Sequence, residues 1–319
     1  MELSTAVRSR EKRFHRSETP PAFQLTERDL KLVAHVARHR FLSSTHLTAL
    51  DGGSAQNVLR CLRVLFDHGY LDRPKAQLAS LPTDGPRPFV YGLGPKGARA
   101  LREHGHHLNR AGDWTEKNKR AGAIFIEHTL QLADFMTGLE VACRTRGDME
   151  LLREHDILAA APEKTRTARE PLRWSVDKVL MGKRQSFSVV PDGLFGLRFS
   201  DETAAYFLLE VDRGTIPICR TDKAGSSAWR KNIAYKLATY YEGWKAERHV
   251  KQLGVKQVRV AIVTTSAARV KNMLSVVDEI TEGKGTNFFL FIDRASLAAS
   301  DPLRAEWLSG KGETVRLID

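Results

Sequence analysis

The amino-acid sequence predicts an α/β chain, α+β overall, with a mainly helical first third and a mixed α/β sheet in the remainder. Between residues 26 and 93, three stretches of helical periodicity precede two short strands. Beyond residue 186, apolar strands alternate with amphipathic helices, which is typical of a sheet covered by helices on both faces. A length of 319 residues, 42% of them hydrophobic, is sufficient for about two packed domains.

The charge of the chain is unevenly distributed. There are 50 Lys and Arg residues against 38 Asp and Glu residues, for a net charge of +12. Residues 1–117 carry 19 basic and 12 acidic residues, a net charge of +7, and residues 118–319 carry 31 and 26, a net charge of +5. Positive charge favours a polyanionic partner, and its concentration in the first third favours a nucleic-acid-binding surface over a uniformly basic background.

The composition excludes several other classes of protein. The longest apolar runs, such as residues 258–263, are much shorter than the roughly 18–20 residues that cross a bilayer. The N-terminus is charged and lacks the apolar segment of a secretory signal. The three cysteines, Cys61, Cys143 and Cys219, are too widely spread for a disulfide framework or a zinc site. We therefore expect a cytoplasmic protein that does not contact membranes.

The first predicted elements are a basic arm and three helices. Residues 1–24 are polar and are expected to form a flexible arm. Thr26 is the predicted N-cap of a first helix that continues to about residue 40, and a second short helix begins at Ser43 or Ser44. A third helix begins after Ser54. Its predicted buried stripe consists of Val58, Leu59, Leu62, Leu65 and Phe66.

A predicted hairpin follows the third helix. Gly69 suits the end of that helix, and strands are expected at residues 70–72 and 89–93, before a helix that Pro95 opens. Three helices, a strand, a basic loop and a strand are the order of a winged helix-turn-helix. Residues 25–103 resemble bacterial winged-helix DNA-binding domains of the MarR/PadR kind, through the phrases LFDHGYLDR and VYGLGPKGARAL.

The predicted DNA contacts lie on the third helix and in the loop of the hairpin. Amide and guanidinium side chains can contact base edges in the major groove, and Gln56, Asn57, Arg60 and Arg63 fall on the outward side of the helix. Lys75 and Arg87 fall in the wing loop, where contacts with phosphates or the minor groove are expected. The alternative is a winged helix that contacts another protein, with these side chains merely solvated.

A break in periodicity at residues 104–117 predicts a linker to a second domain at residues 118–319. This domain is predicted to open with a long helix at residues 119–144. Residues 186–199 alternate as a strand pair, and buried strands are expected at residues 204–211 and 257–264 with a helix between them. Residues 156–185 fit no clear pattern.

Three carboxylates are the candidate chemistry of the second domain. Asp192 begins a strand or lies in a turn, and Glu210 and Asp212 are two residues apart, which places them on the same side of a strand. Carboxylates that converge on one edge of a sheet could hold Mg²⁺, or Mn²⁺ in its place, and such a metal activates water for attack on a phosphodiester. The sequence leaves open a working metal site, a degenerate site that binds DNA or protein, and a structural ion-pair network around Arg213.

The second domain resembles the PD-(D/E)XK nuclease superfamily. The resemblance depends on the dipeptide Pro191-Asp192 followed by Glu210-x-Asp212, placed after a predicted helix and before a strand, a helix and a strand. This resemblance implies a nuclease-like fold of the second domain and Asp192, Glu210 and a third motif residue, normally Lys, as catalytic groups. Here Asp212 stands at the Lys position, which speaks against catalysis. Lys236 and Tyr240, in the next predicted helix, are the candidates to replace that lysine, as in some branches of the superfamily.

The chain as a whole also looks like the replication-relaxation family, over residues 25–264. These bacterial proteins are associated with plasmid replication, DNA relaxation and mobile elements. The resemblance implies a role on plasmid or integrative-element DNA and a nucleoid- or plasmid-associated location, without establishing an enzymatic step. It depends on His128, Asp134, Pro191, Asp192, Glu210, Asp212, Arg213, Gly214, Thr215, Lys236 and Tyr240.

Three hypotheses about function follow. The first is a DNA-binding protein of a plasmid or other mobile element, acting in replication or relaxation, mobilisation or transcriptional control, with an inactive nuclease-like domain. The second is a Mg²⁺-dependent endodeoxyribonuclease that its winged helix targets to DNA, and the third is a two-domain protein-interaction scaffold. Double-stranded DNA is the expected partner, with replication or relaxosome proteins as further partners and a homodimer as the default assembly.

Overall fold

A computed structural model describes residues 14–80, 88–106, 108, 114–180, 183–218 and 232–318. The chain divides into two compact units, residues 1–137 and 138–319. The division falls inside a long helix, Ala123–Arg146, rather than in the predicted linker at residues 104–117. Within the described ranges, the search for a helix of the length and apolarity that a bilayer requires found none.

The first unit is built of helices around a three-stranded sheet. The strands β1 (Phe41–Ser43), β2 (Leu71–Asp72) and β3 (Val90–Leu93) form an antiparallel sheet in the order β1-β3-β2. The strand β1 between the first two helices was not predicted. The elements are α1 (Glu27–His39), β1 (Phe41–Ser43), α2 (Ser44–Asp51), α3 (Ala55–Asp67), β2 (Leu71–Asp72), a 3₁₀ helix (Lys75–Ser80), β3 (Val90–Leu93), α4 (Pro95–Glu103), α5 (Trp114–Arg120) and α6 (Ala123–Arg146).

Local sequence signals set these boundaries. The Thr26 hydroxyl accepts the Asp29 backbone N–H and the Asp29 carboxylate accepts the Thr26 N–H, so the predicted start of α1 is a full capping box. Gly69 follows α3 with φ of +81°, a conformation that favours glycine. The apolar faces of α1, α2 and α3 meet in one core that also includes Trp114 of α5.

Two predictions for this unit need correction. Leu59 was expected in the buried stripe of α3, but its side chain is 47% exposed because the stripe follows Val58, Leu62 and Leu65 instead. The described part of the arm, residues 14–24, also packs on the unit. The Arg16 guanidinium donates to the Phe66 carbonyl at 2.8 Å and forms an ion pair with Asp72.

Helix α5 is part of the first unit although most of it falls in the predicted linker. Trp114 is buried in the core, and the buried Asn118 side chain bonds to the sheet. The Asn118 amide donates to the Asp72 carboxylate at 3.0 Å and to the Leu93 carbonyl at 2.9 Å. These bonds fasten α5 to both β2 and β3.

The second unit is a mixed sheet with helices. Its elements are β4 (Met149–Arg153), α7 (Glu154–Ala160), α8 (Glu163–Arg166), β5 (Trp174–Leu180), β6 (Lys183–Val189), β7 (Gly193–Phe199), β8 (Ala204–Val211), α9 (Ile233–Lys245), α10 (Arg248–Leu253), β9 (Arg259–Thr264), α11 (Ala267–Ile280), β10 (Phe289–Asp293), α12 (Arg294–Ala298), β11 (Trp307–Ser309) and β12 (Thr314–Val315). Among the described residues, seven strands form the sheet, in the order β12-β11-β10-β9-β8-β7-β4. Strands β8, β9 and β10 are parallel, and the other neighbouring pairs are antiparallel. These observations confirm an α+β chain with a mixed sheet.

The segment at residues 186–199 differs from the prediction of a single strand pair. Strand β6 pairs with β5 in a separate two-stranded hairpin, and β7 joins the large sheet. The polar residues 156–185, which fit no pattern, therefore contribute two short helices and the partner strand β5. Side chains of this hairpin and of α9 share the main core of the unit.

Candidate functional site

The outward face of α3 carries three of the predicted DNA-contacting side chains. Gln56, Asn57 and Arg60 are exposed near the start of the helix, while Val58 on the opposite face is fully buried. Arg60 donates to the Asn57 amide oxygen at 3.2 Å, so the two side chains lie next to each other on the surface. The apolar face fixes the orientation of the helix, and the polar face is open to solvent.

Arg63 differs from Arg60 although both lie on α3. Its guanidinium Nε donates to the Asp67 carboxylate at 2.7 Å, and its Nη2 donates to the His15 carbonyl at 3.4 Å. Asp67 also accepts the Ser17 backbone N–H at 2.9 Å. Arg63 therefore helps to hold the described end of the arm on the unit.

Of the two predicted wing residues, the structure describes one. Lys75 is exposed and begins the 3₁₀ helix Lys75–Ser80, directly after β2. Arg87 lies outside the described residues. Lys75 thus stands where the connection between β2 and β3 leaves the sheet.

In the second unit, Asp192 lies just before β7 and is bonded to the next strand. Its backbone N–H donates to the Leu209 carbonyl at 2.9 Å, and its carboxylate accepts the Val211 N–H at 2.8 Å. Asp192 and Glu210 therefore lie at the same end of two adjacent antiparallel strands, as their sequence positions predicted.

Glu210, at the end of β8, is buried against two side chains of α9. Its carboxylate accepts the Lys236 ammonium at 2.6 Å and the Tyr240 hydroxyl at 2.6 Å, one on each oxygen. Burial raises the pKa of Glu210 and the charge of Asp192 adds to this, while Lys236 opposes both. Burial lowers the pKa of Lys236, but the charges of Glu210 and Asp192 outweigh it and the net shift is upward.

Tyr240 completes this network from the helix turn after Lys236. It is fully buried, and burial together with the charge of Glu210 raises its pKa well above the ordinary value for tyrosine. The phenol is therefore protonated at neutral pH and acts as a hydrogen-bond donor. Lys236 and Tyr240, four residues apart on α9, approach Glu210 from one helix face.

Asp212 has a different set of partners from Glu210. The Arg269 guanidinium on α11 donates to both of its carboxylate oxygens, at 2.5 and 3.0 Å, and the Thr264 hydroxyl donates to it at 2.6 Å. Burial tends to raise the pKa of Asp212, but the hydrogen bonds from Arg269 and Thr264 outweigh this and lower it. The carboxylate is thus held ionised inside a bidentate ion pair.

These contacts do not fit a Mg²⁺ or Mn²⁺ centre. A divalent cation of this type binds to carboxylate oxygens, and here the oxygens of Glu210 and Asp212 are engaged by Lys236, Tyr240 and Arg269. In the part of the chain that the structure describes, no group of three or more His, Cys, Asp or Glu side chains could hold a metal ion. Metal binding by Asp192, Glu210 and Asp212 stays a prediction, since it requires these partners to move.

The sequence pattern missed Arg269 and Thr264. Arg269 is 57 residues from Asp212 along the chain, and no local motif marks it. One signal was present, because parallel strands end at the same edge of a sheet, and Thr264 ends the strand that pairs with β8. Asp134, another residue of the family resemblance, is in contact with His46 within the first unit.

Comparison with protein families gives one match. The family model described as Replication-relaxation matches residues 33–259, which is more than two thirds of the chain. Neither the curated proteins nor the solved structures that were compared include a match. The matched region extends from α1 to the first residue of β9 and includes Asp192, Glu210 and Lys236.

Proposed function

The chain belongs to the replication-relaxation family, and we propose that it is a DNA-binding protein of a plasmid or other mobile element. It binds double-stranded DNA through α3 in the first unit. It acts in replication or relaxation, mobilisation or transcriptional control of that element. The second unit has a nuclease-like arrangement whose carboxylates are engaged internally, so the protein holds DNA without cutting it.

The exposed polar face of α3 is the observation that carries this proposal. Gln56, Asn57 and Arg60 are side chains that form bidentate bonds with adenine or guanine in the major groove. The order helix, strand, helix, helix, strand, strand, with α3 directly before β2, supports the winged helix-turn-helix assignment. Lys75, at the base of the β2–β3 connection, would then contact a phosphate.

The topology of the second unit supports the nuclease-like part of the proposal. Asp192 lies just before β7, Glu210 lies on the adjacent antiparallel strand β8, and α9 then leads to β9, which is parallel to β8. This is the helix and strand order that the PD-(D/E)XK resemblance implies. Asp212, at the position of the usual lysine, is bound by Arg269 instead of contributing a cation.

The proposal is tested by selection of duplexes from a random-sequence pool, followed by mobility-shift titration of the enriched duplex. We expect Gln56→Ala with Arg60→Ala to weaken binding by about 2–6 kcal/mol if each side chain contacts a base. Arg99→Ala is the matched control, because Arg99 is also an exposed arginine, on α4 of the same unit. Failure to enrich any duplex, or equal affinity of all three proteins, would contradict the proposal.

A metal-dependent endonuclease is the second candidate, and one observation favours it. The Lys236 ammonium lies 2.6 Å from Glu210, so a lysine from the following helix does reach the strand-end carboxylate. The test is incubation of supercoiled plasmid with Mg²⁺ or Mn²⁺. The endonuclease function would replace the binding-only function if the wild type nicks the plasmid, Asp192→Asn does not, and the exposed-site variant Glu150→Gln still does.

A further inference from the structure

The first unit has a shallow basic depression in its surface, lined by residues that the α3 proposal does not name. Its volume is about 340 Å³, and it is lined by Arg40, Lys117, Arg120, Ala121, Gly122 and Phe125. Three of these six residues are cationic and one is aromatic. We call this set of residues the α5–α6 pocket.

The fold fixes the position of the cations. Arg40 follows α1 with φ of +69°, a conformation rare for a residue with a side chain, and its guanidinium lies 4.3 Å from the centre of the Phe41 ring. It also donates to the Asn118 amide oxygen. Lys117 and Arg120 are one turn apart on α5 and therefore project from the same face of that helix. Three positive charges are thus brought to one cavity.

Neighbouring residues on the same helix behave differently. Lys119 forms an ion pair with Glu116 at 2.7 Å, whereas the exposed Arg120 forms no ion pair among the described residues. Clustered cations are stabilised when an anion binds between them. The pocket also adjoins the first turn of the long helix α6. This turn contains no acidic residue, and it carries the positive end of the helix dipole.

Phe125 gives the α5–α6 pocket an aromatic surface. Its side chain is 47% exposed, and it lines the cavity beside Gly122 and Arg120. A ring of this kind, next to cations, is the arrangement on which an unpaired base stacks while its phosphate is neutralised. In a duplex the base faces are covered by their neighbours and are not available to such a ring.

We propose that the α5–α6 pocket binds one nucleotide unit of single-stranded nucleic acid. The phosphate binds to the exposed Arg120, with Arg40 and Lys117 adding positive charge from the lining, and the base stacks on Phe125. The residues of this pocket differ from those proposed for the duplex contact of α3. A protein with both sites can hold a duplex and an unpaired strand at once.

The experiment is fluorescence anisotropy of the full chain with a labelled oligothymidylate and, separately, with a duplex of equal length. Phe125→Ala is compared with Ile124→Ala, because Ile124 is 66% exposed on the adjacent position but does not line the pocket. Arg120→Gln is compared with Lys119→Gln on the same helix. Circular dichroism verifies that all four variants are folded.

We expect Phe125→Ala to weaken oligothymidylate binding about 5- to 100-fold and Arg120→Gln to reduce the slope of log affinity against log salt by about 0.7. Ile124→Ala and Lys119→Gln should leave both quantities unchanged. The proposal is overturned if the two pocket variants bind as the wild type does, or if they weaken duplex binding to the same extent. Displacement of the oligonucleotide by an equal concentration of thymidine monophosphate also overturns it, in favour of a free-nucleotide site.

The duplex proposal for α3 and the proposal for the α5–α6 pocket can be tested separately. Loss of duplex binding in Gln56→Ala with Arg60→Ala, with oligothymidylate binding unchanged, is the result expected if both sites exist. If the protein enriches no duplex but binds oligothymidylate in a way that depends on Phe125, the α3 proposal is overturned and the proposal for the α5–α6 pocket stands.

Discussion

Two sites, one in each unit, differ in how their polar side chains are engaged. On α3 of the first unit, Gln56, Asn57 and Arg60 face solvent above a buried apolar stripe. At the end of β8 in the second unit, Glu210 and Asp212 are buried and hydrogen-bonded to side chains of neighbouring elements. The difference indicates which groups are ready for a partner: a solvated side chain can exchange water for a ligand, whereas an internally paired charge must first break contacts that stabilise the fold.

The strongest test of this comparison is the removal of Glu210. Glu210→Ala leaves the Lys236 ammonium and the buried Tyr240 hydroxyl without their shared acceptor, so we expect the free energy of unfolding to fall by about 3–5 kcal/mol. Urea denaturation followed by circular dichroism measures this. Glu150→Ala is the control, because Glu150 forms an exposed pair with Arg198 that contributes about 0–1 kcal/mol. Similar losses in both variants would mean that the buried network does not stabilise the second unit.

The Asp212–Arg269 pair should make stability depend on acid pH. The pKa of Asp212 is lower in the folded protein than its ordinary value of 3.8, so the ion pair stabilises the fold above that pH and is lost as the pH falls through the folded-state pKa. We expect Asp212→Asn to reduce the free energy of unfolding by about 1.5–3 kcal/mol at pH 7. The difference from the wild type should shrink below pH 3.8.

Urea denaturation at several pH values, with Asp278→Asn on the exposed face of α11 as control, measures this dependence. A deficit of Asp212→Asn that stays constant from pH 7 to acid pH would show that the lost contribution is packing rather than charge.

Within α3 itself, Arg60 and Arg63 sharpen the comparison. Arg60→Ala should weaken binding of the selected duplex by about 1–3 kcal/mol without changing stability, because its side chain is exposed. Arg63→Ala should instead lower stability by about 0.3–0.5 kcal/mol through loss of its pair with Asp67 and weaken binding less. Mobility shifts and thermal denaturation of both variants test this. If the Arg63 variant loses more affinity than the Arg60 variant, the assignment of the base contact to Arg60 is wrong.

The smallest expected effect concerns Lys75. If it neutralises one phosphate, Lys75→Ala should reduce the slope of log affinity against log salt by about 0.9 for duplex DNA, with the same effect on every sequence. Titrations at several salt concentrations measure the slope, and Lys31→Ala on α1 is an exposed control. An unchanged slope for Lys75→Ala would remove the 3₁₀ helix from the proposed interface.

Much of the fold was predictable because local patterns determine it. The capping box at Thr26, the apolar stripe of α3 and the buried run of β8 fix their elements within a few residues. The hairpin β5–β6 was not predictable, since β6 looked like a partner of β7 and only the core of the second unit decides the pairing. Leu59 was assigned to the wrong face because its spacing from Leu62 and Phe66 also fits helical periodicity.

The sequence singled out Glu210, Lys236 and Tyr240, which are in contact in the structure, but it did not reveal the partner of Asp212. The pairing of Glu210 with Lys236 and Tyr240 agrees with the expectation that α9 supplies groups to the strand end. The ion pair of Asp212 with Arg269 could not be foreseen, because contacts over such a distance in sequence depend on how the parallel strands and their helices assemble. Whether three nearby carboxylates bind a metal or a guanidinium is decided by that assembly and not by their spacing.

Asn118 has a consequence for where the first unit can be cut from the rest of the chain. Because its side chain joins Asp72 on β2 to the Leu93 carbonyl on β3, a fragment ending at residue 103 would lose a buried bridge between two strands and also the Trp114 side chain from the core. The segment that is needed for an intact first unit is therefore longer than the winged-helix pattern at residues 25–103. A gene fusion that transplants the proposed DNA-binding activity to another protein should carry the whole first unit, residues 1–137.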